Sequence, residues 1–193
     1  MRITLLFLLV LFSSSPMTSQ IADAELFFKD GTSLKGFGMI DKKDNIKFRL
    51  SLEDEPNVWT SLMVKKIIFY GFETQEEFQY VVLKPDTEAI LLKVLVDEEI
   101  KLFADWERTP QYPFKKQHQT FLKNASKPEI VSTKLYIQKV TEDFPFPLTG
   151  NFKRKAKDYF SDCVGIIKKL NSGEFRKSTA TDMVYYYSDI CMD

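Results

Sequence analysis

The chain has 193 residues, in which 27 Lys and Arg balance 27 Asp and Glu beside a single His. Zero net charge gives no electrostatic argument for binding nucleic acid or an anionic membrane surface, and one histidine excludes zinc sites of the His-rich type. The 44% hydrophobic content is enough for a real core, and 17 Phe, 8 Tyr and 2 Trp favour sheets over bundles.

The first element is an address. Arg2 precedes an unbroken apolar run, Leu5–Phe12, and a Ser-rich stretch with Pro16 follows. Charged, then apolar, then small is the order of a secretory signal peptide, read here over residues 1–20. The apolar run is too short to span a bilayer, which takes roughly 20 such residues. Cleavage after Ala22-Asp23-Ala24 would free Glu25, and cleavage after Thr18-Ser19-Gln20 would free Ile21. No Cys lies near this boundary, so no lipid anchor is expected. The expected location is periplasmic or extracellular, with no stable membrane insertion after signal cleavage.

Residues 21–140 read as an antiparallel β domain, because from Glu25 to about Lys139 apolar positions recur with period two. Leu26–Phe28 and Thr32–Ile40 flank Lys29-Asp30-Gly31, a strong tight-turn signal. Gly36 and Gly38 share one face of the second strand, which predicts a bulge or close approach of another backbone. Asp41–Asp44 is a polar turn, and Ile46, Phe48 and Leu50 then share a face opposite Lys47 and Arg49. Val58–Tyr70 reads as one long strand. Glu77–Leu83 and Ala89–Val96 follow across the turn Lys84-Pro85-Asp86. Ile90–Val96 is apolar on both faces, which predicts a central strand covered on both sides. Glu98–Ala104, a loop over Trp106–Pro128 and a strand over Ile130–Gln138 bring the total to about eight strands, expected as an antiparallel meander in a barrel, roll or sandwich.

After Asp143-Phe-Pro-Phe-Pro147 the period changes, and residues 144–193 read as a helical module. Phe152, Ala156, Tyr159, Phe160, Cys163, Ile167 and Leu170 trace one helical stripe, with Asn151 as N-cap and Asn171-Ser-Gly173 as the stop. A shorter helix is expected from Ser178 or Thr179, with Thr179-x-x-Asp182 as a capping box and Met183, Tyr186, Tyr187 and Ile190 as its apolar face. Tyr185 is the outlier of the Tyr185–Tyr187 run.

The two cysteines are the main chemical constellation. Two in an exported chain favour a Cys163–Cys191 bridge, which in the chain-entropy account stabilises by about 3.6 kcal/mol for a loop of roughly 29 residues. Two free thiols packed as small hydrophobes are the alternative; no C-x-x-C pair marks a redox site. His118 sits alone in a polar loop, where solvation accounts for it. The triplets Glu53-Asp-Glu55 and Asp97-Glu-Glu99 supply paired carboxylates, but neighbours on a strand point to opposite faces, so they read as solvated turns. Lys153-Arg-Lys-Ala-Lys157 reads as a solvated helix face, and Asn124-Ala-Ser126 is a sequon with meaning only in a eukaryotic secretory pathway.

Lys134–Lys139, Tyr159-Phe-Ser-Asp-Cys163 with Ile166-Ile-Lys168, and Val184–Tyr187 before Cys191 resemble the tail of an exported protein family of Bacteroidetes-type bacteria. Leu95-Val-x3-Ile-Lys-Leu-Phe103 is similar to that family's hairpin, although Asp97-Glu-Glu99 stands where its turn has Gly, and Val164 where Pro follows the first Cys. The resemblance implies the α+β architecture and the Cys163–Cys191 pairing, and no catalytic residue. The expected fold is therefore an antiparallel β region followed by a small helical pair. The expected function is a non-enzymatic one: binding a protein or small-molecule partner, or a structural role, through the β domain, with no cofactor. A hydrolase using carboxylates gathered from separate strands is the alternative class.

Overall fold

A strand with an apolar residue at every second position has one face to bury, and this chain meets that demand by adding strand to strand in one sheet. The computed structural model describes residues 21–41, 43–71, 74–105 and 134–192. Its strands are β1 (Ala22–Phe28), β2 (Ser33–Ile40), β3 (Ile46–Arg49), β4 (Asn57–Trp59), β5 (Val64–Tyr70), β6 (Gln75–Val81), β7 (Ile90–Asp97), β8 (Ile100–Asp105), β9 (Lys134–Lys139) and β10 (Phe146–Pro147). They form a single ten-stranded antiparallel sheet in the order β10-β9-β8-β7-β6-β5-β1-β2-β3-β4. Helices α1 (Phe152–Tyr159), α2 (Val164–Ser172) and α3 (Ala180–Ile190) follow, the last preceded by a 3-10 turn at Lys177–Thr179. The expected α+β class holds, and the sheet stays open rather than closing into a barrel. The meander is interrupted once, where β5 leaves β4 and pairs with the free edge of β1.

Register places the cores. Ile67, Phe78, Lys93, Ala104 and Leu135 are successive cross-strand partners and so share one face of the sheet. On that face Ala24, Leu26, Ile46, Phe48, Ile67, Phe69, Phe78 and Leu91 form one cluster. Further along it, Ile100, Leu102, Ala104, Leu135 and Ile137 pack under Phe152, Ala156, Phe160, Ile166, Met183 and Val184 of the helices. Val81, Leu92 and Phe103 cluster on the opposite face. β7 is thus covered on both sides, Leu91 on one and Leu92 on the other, as its composition predicts. Leu95 is an extra residue between Val94 and Val96 in the pairing with β8; this bulge turns Leu95 as well as Val96 toward the helices.

Several local expectations hold and several are corrected. Asp30 Oδ1 accepts from the Thr32 N–H at 2.9 Å and from its hydroxyl at 2.7 Å, and Gly31 takes φ +91°, so Asp-Gly makes the first hairpin turn. Asn151 Oδ1 accepts from the Arg154 N–H at 3.1 Å and caps α1, and Gly173 ends α2 in the left-handed region. The long strand over 58–70 is instead two strands, because the Met63 and Val64 N–H groups fold back onto the Thr60 carbonyl. The single helical stripe is instead two helices that break at 160–163. The break lets Ile166 rather than Ile167 reach the core and carries Asp162 to partners on α3 and β9. Thr179 does not cap its helix through its side chain; its hydroxyl accepts from the Arg176 N–H at 3.1 Å. Ile190 is 59% exposed, and Val184 takes its place on the buried face of α3. The prolines after Asp143 border and enter β10, an edge strand, where a missing N–H is tolerated.

The paired glycines of β2 answer a packing demand. A Cβ at Gly36 would collide with the backbone carbonyl of Arg49, and one at Gly38 would lie 2.8 Å from Ile67 Cδ1 and 3.2 Å from the Ala24 Cβ. The obstacle at Gly36 is backbone, whereas that at Gly38 includes the movable end of a side chain. Gly36→Ala should therefore destabilise by about 1–3 kcal/mol and Gly38→Ala by less, read as shifts of the urea midpoint at constant slope. Equal midpoints for Gly36→Ala and the parent protein would contradict the close approach.

Candidate functional site

Two arrangements of polar and aromatic groups stand out, one under the helices at the β8–β10 end of the sheet and one on β5, β1 and β2. The first is built by the Tyr159–Cys163 segment. Tyr159, at the end of α1, donates from its hydroxyl to Glu142 Oε2 at 2.8 Å and accepts from the Lys139 backbone N–H at 3.0 Å. Lys139 Nζ, at the end of β9, donates to the Tyr187 hydroxyl at 2.8 Å and ion-pairs with Asp162 at 3.4 Å, while Tyr187 donates to Asp162 Oδ2. The same ammonium lies 4.8 Å from the centre of the Tyr187 ring and 5.5 Å from that of Tyr159. Next to this network Cys163 and Cys191 form a disulfide with Cα atoms 5.7 Å apart, inside the normal range. It joins the start of α2 to the end of α3.

The electrostatics make this cluster a lock. Burial, reinforced by the hydrogen bond to Glu142, pushes the Tyr159 phenol far above its ordinary value. Burial and the bond to Asp162 likewise raise Tyr187. Burial alone would raise the Asp162 carboxyl and lower the Lys139 ammonium, but the Tyr187 hydroxyl and their mutual attraction outweigh it, leaving Asp162 lowered and Lys139 raised. At neutral pH Tyr159 and Tyr187 therefore stay neutral phenols, Asp162 a carboxylate and Lys139 an ammonium, and none of these four is poised to exchange a proton.

The second arrangement lies on the opposite face of the sheet, on β1, β2 and β5. A depression of about 500 Å³ opens there, lined by Asp23, Ala24, Lys35, Gly36, Phe37 and Tyr70. Because Ala24 and Leu26 turn into the core, Asp23 and Glu25 point outward, and Phe37, the register partner of Asp23, points with them. Tyr70 donates its hydroxyl to Glu25 Oε2 at 2.8 Å, and Ser33 Oγ donates to Glu25 Oε1, also at 2.8 Å. These bonds, Ser33 first, hold the Glu25 carboxyl below the usual glutamate range. Sequence reasoning missed this site. The available signal was Phe37, an aromatic residue flanked by two core-facing glycines and hence aimed at solvent.

The other candidates fall apart in space. Asp54 accepts from the Ser51 N–H, and Glu53 and Glu55 are exposed in the β3–β4 turn. Asp97 pairs with Lys101 at 2.6 Å, beside exposed Glu98 and Glu99. Lys153 reaches the Asn171 carbonyl while Lys155 lies over the Phe146 ring, so the basic run spreads around α1. Tyr185 is exposed, Tyr186 meets the Phe175 ring edge-on at 5.6 Å, and Tyr187 belongs to the lock. His118, Asn124 and Ser126 lie outside the described residues, as do residues 1–20 and the 106–128 loop. Among the described residues no three His, Cys, Asp or Glu side chains are grouped so as to hold a metal ion, and no helix is long and apolar enough to cross a membrane. No family model, curated protein or solved structure matches the chain.

Tyr187→Phe removes the hydroxyl that bridges Lys139 and Asp162 and should cost about 1–2 kcal/mol. The lowered Asp162 contributes stability that is complete above the unfolded aspartate value of about 3.9 and is lost as pH falls through its folded value. The raised Lys139 contributes below about 10.4 and is lost as pH rises through its own folded value. The gap between parent and Tyr187→Phe in urea titrations should therefore be constant from about pH 5 to 9 and narrow outside those limits. A gap that changes across neutrality would contradict this assignment.

Proposed function

We propose that this chain is an exported, non-enzymatic binding protein whose binding surface is the outer face of β1, β2 and β5. The carrying observation is the depression between Asp23, Lys35, Phe37 and Tyr70, where two aromatic side chains stand on the solvent face of the sheet beside charged groups. Sites for small ligands combine such apolar walls with a few polar groups. The lock at the β8–β10 end of the sheet has its polar atoms bonded to one another and serves to hold the helices. The hydrolase alternative draws no support from the depression, whose lining among the described residues contains one carboxylate, Asp23. Glu25 sits behind it, tied to Tyr70 and Ser33.

Export is supported by the apolar leader and by a disulfide, which persists in oxidising compartments. The structure also bears on where the leader ends. Ala22, Asp23 and Ala24 pair with Gly38, Phe37 and Gly36 of β2, and Ala24 also faces Phe69 of β5. Cleavage after Ala24 would remove these residues from the ladder, whereas cleavage after Gln20 keeps all of β1.

Mass spectrometry of the exported protein should find Ile21 as the first residue, without lipid. A chain beginning at Glu25, or one retaining residues 1–20, would contradict this. For the binding surface, a set of ring-containing polar fragments titrated into isotope-labelled exported protein should shift the amides of Asp23, Lys35–Phe37 and Tyr70 first. Shifts confined to the helices would overturn the assignment.

A further inference from the structure

We infer that the depression on β1, β2 and β5 is a saccharide site, taking a neutral sugar ring within an oligosaccharide; this rests on the binding role proposed above and names its ligand. Three features of the lining carry the inference. First, the rim charges are free and of opposite sign. Asp23 and Lys35 are both exposed, and among the described residues neither side chain makes a hydrogen bond or ion pair; Lys35 acts on Glu25 only through space. A ligand here must donate to a carboxylate and accept from an ammonium, which the hydroxyls of a polyol do at once. Second, Phe37 and Tyr70 flank those groups with half-buried rings. The C–H face of a pyranose is the apolar surface that such rings cover, while its hydroxyls stay at the rim.

Third, the aromatic wall is preorganised. The Tyr70 hydroxyl is already committed to Glu25, which is committed to Ser33, so the phenol is held in place and offers its ring rather than its oxygen. Binding then costs little ordering of that side chain. Burial and the bond to Glu25 raise the Tyr70 phenol, so it stays a protonated donor to that carboxylate.

Other ligand classes fit less well. A phosphate or nucleic acid would meet one ammonium against the carboxylates of Asp23 and Glu25. A purely apolar ligand would strip water from Asp23 and Lys35 and return no hydrogen bonds. The depression opens to solvent and is floored by the backbone of Ala24 and Gly36, and a chain of sugars can cross such a surface with one ring seated. Gly36 serves here twice, since its missing side chain also admits the Arg49 carbonyl on the other face.

The test uses the exported chain and neutral hexasaccharides (cellohexaose, chitohexaose, maltohexaose and mannohexaose), followed by amide shifts. At least one should saturate the amides of Asp23, Lys35–Phe37 and Tyr70. Phe37→Ala and Tyr70→Ala should each weaken it roughly tenfold. Tyr70→Phe, which keeps the ring and loses its tether, should weaken it only a few-fold. Asp23→Asn, at an exposed position, should weaken it a few-fold without moving the unfolding midpoint, so the inference does not depend on a variant that fails to fold. Glycylglycine serves as a zwitterionic competitor. If it shifts these amides and no hexasaccharide does, the saccharide inference falls and the binding role stands. If neither hexasaccharide, dipeptide nor fragment shifts them at millimolar concentration, both fall.

Discussion

Strand β1 is paired along both edges, with β2 on one side and β5 on the other, and the rest of the amino-terminal half follows from that constraint. A strand hydrogen-bonded on both sides cannot slip by one residue without turning its whole side-chain set over. Ala24 and Leu26 are thereby committed to the core, and Asp23 and Glu25 to the outer face. The β5–β1 pairing is also the single non-sequential step in the sheet, and it brings Tyr70 to Glu25, 45 residues away in sequence. Without it there would be no tethered ring and no depression. The glycines at 36 and 38 belong to the same arrangement, since they let β2 lie close against its neighbours.

Two regions of the sheet differ in how their polar groups are satisfied. At the β8–β10 end the helices are fixed by apolar burial, by the Lys139–Tyr187–Asp162 and Tyr159–Glu142 bonds, and by the Cys163–Cys191 bridge. On β5, β1 and β2 the outer face carries Asp23 and Lys35, whose side chains have no partners among the described residues. Between them β6 supplies adjacent carboxylates that point to opposite faces: Glu76 meets Lys93 at 2.8 Å and Glu77 meets Lys66 at 2.9 Å. In each half-buried pair one carboxylate oxygen meets the ammonium, while the other, Glu76 Oε2 or Glu77 Oε1, is buried without a hydrogen bond among the described residues. The helix-covered region is closed by its own bonds, whereas the outer face of β1, β2 and β5 keeps charged side chains unpaired among the described residues, and the proposed binding role rests on this contrast.

Where one face of a strand is buried, the sequence is legible. β1, β2, β3 and β7 declare themselves by alternation, or by the double apolar run of Ile90–Val96, and Asp30-Gly31 marks its turn. Elements set by backbone bonds without a side-chain signature were not legible. Thr60–Met63 contains neither Gly nor Pro, yet it turns, because Met63 and Val64 donate to the Thr60 carbonyl. The helix break at 160–163 is also hidden: the stripe from Phe152 to Leu170 suits one helix, and only the tertiary pull on Asp162 and Cys163 divides it. The disulfide could be anticipated from two cysteines in a chain whose leader reads as a signal for export. The depression could not, since its lining comes from three strands that are brought together only by the β5–β1 pairing. Phe37 between its glycines is the one local trace of it.

Everything proposed for the outer face depends on β1 having β2 and β5 as its two neighbours, in the stated register and with residues 22–24 included. Cross-strand nuclear Overhauser contacts in the protein test this directly. The account predicts contacts from Ala24 to Gly36 on one side and to Phe69 on the other, with Asp23 opposite Phe37. Contacts displaced by one residue, or an Ala24 with a neighbour on only one side, would turn Asp23 away from Phe37 and Tyr70 and contradict it.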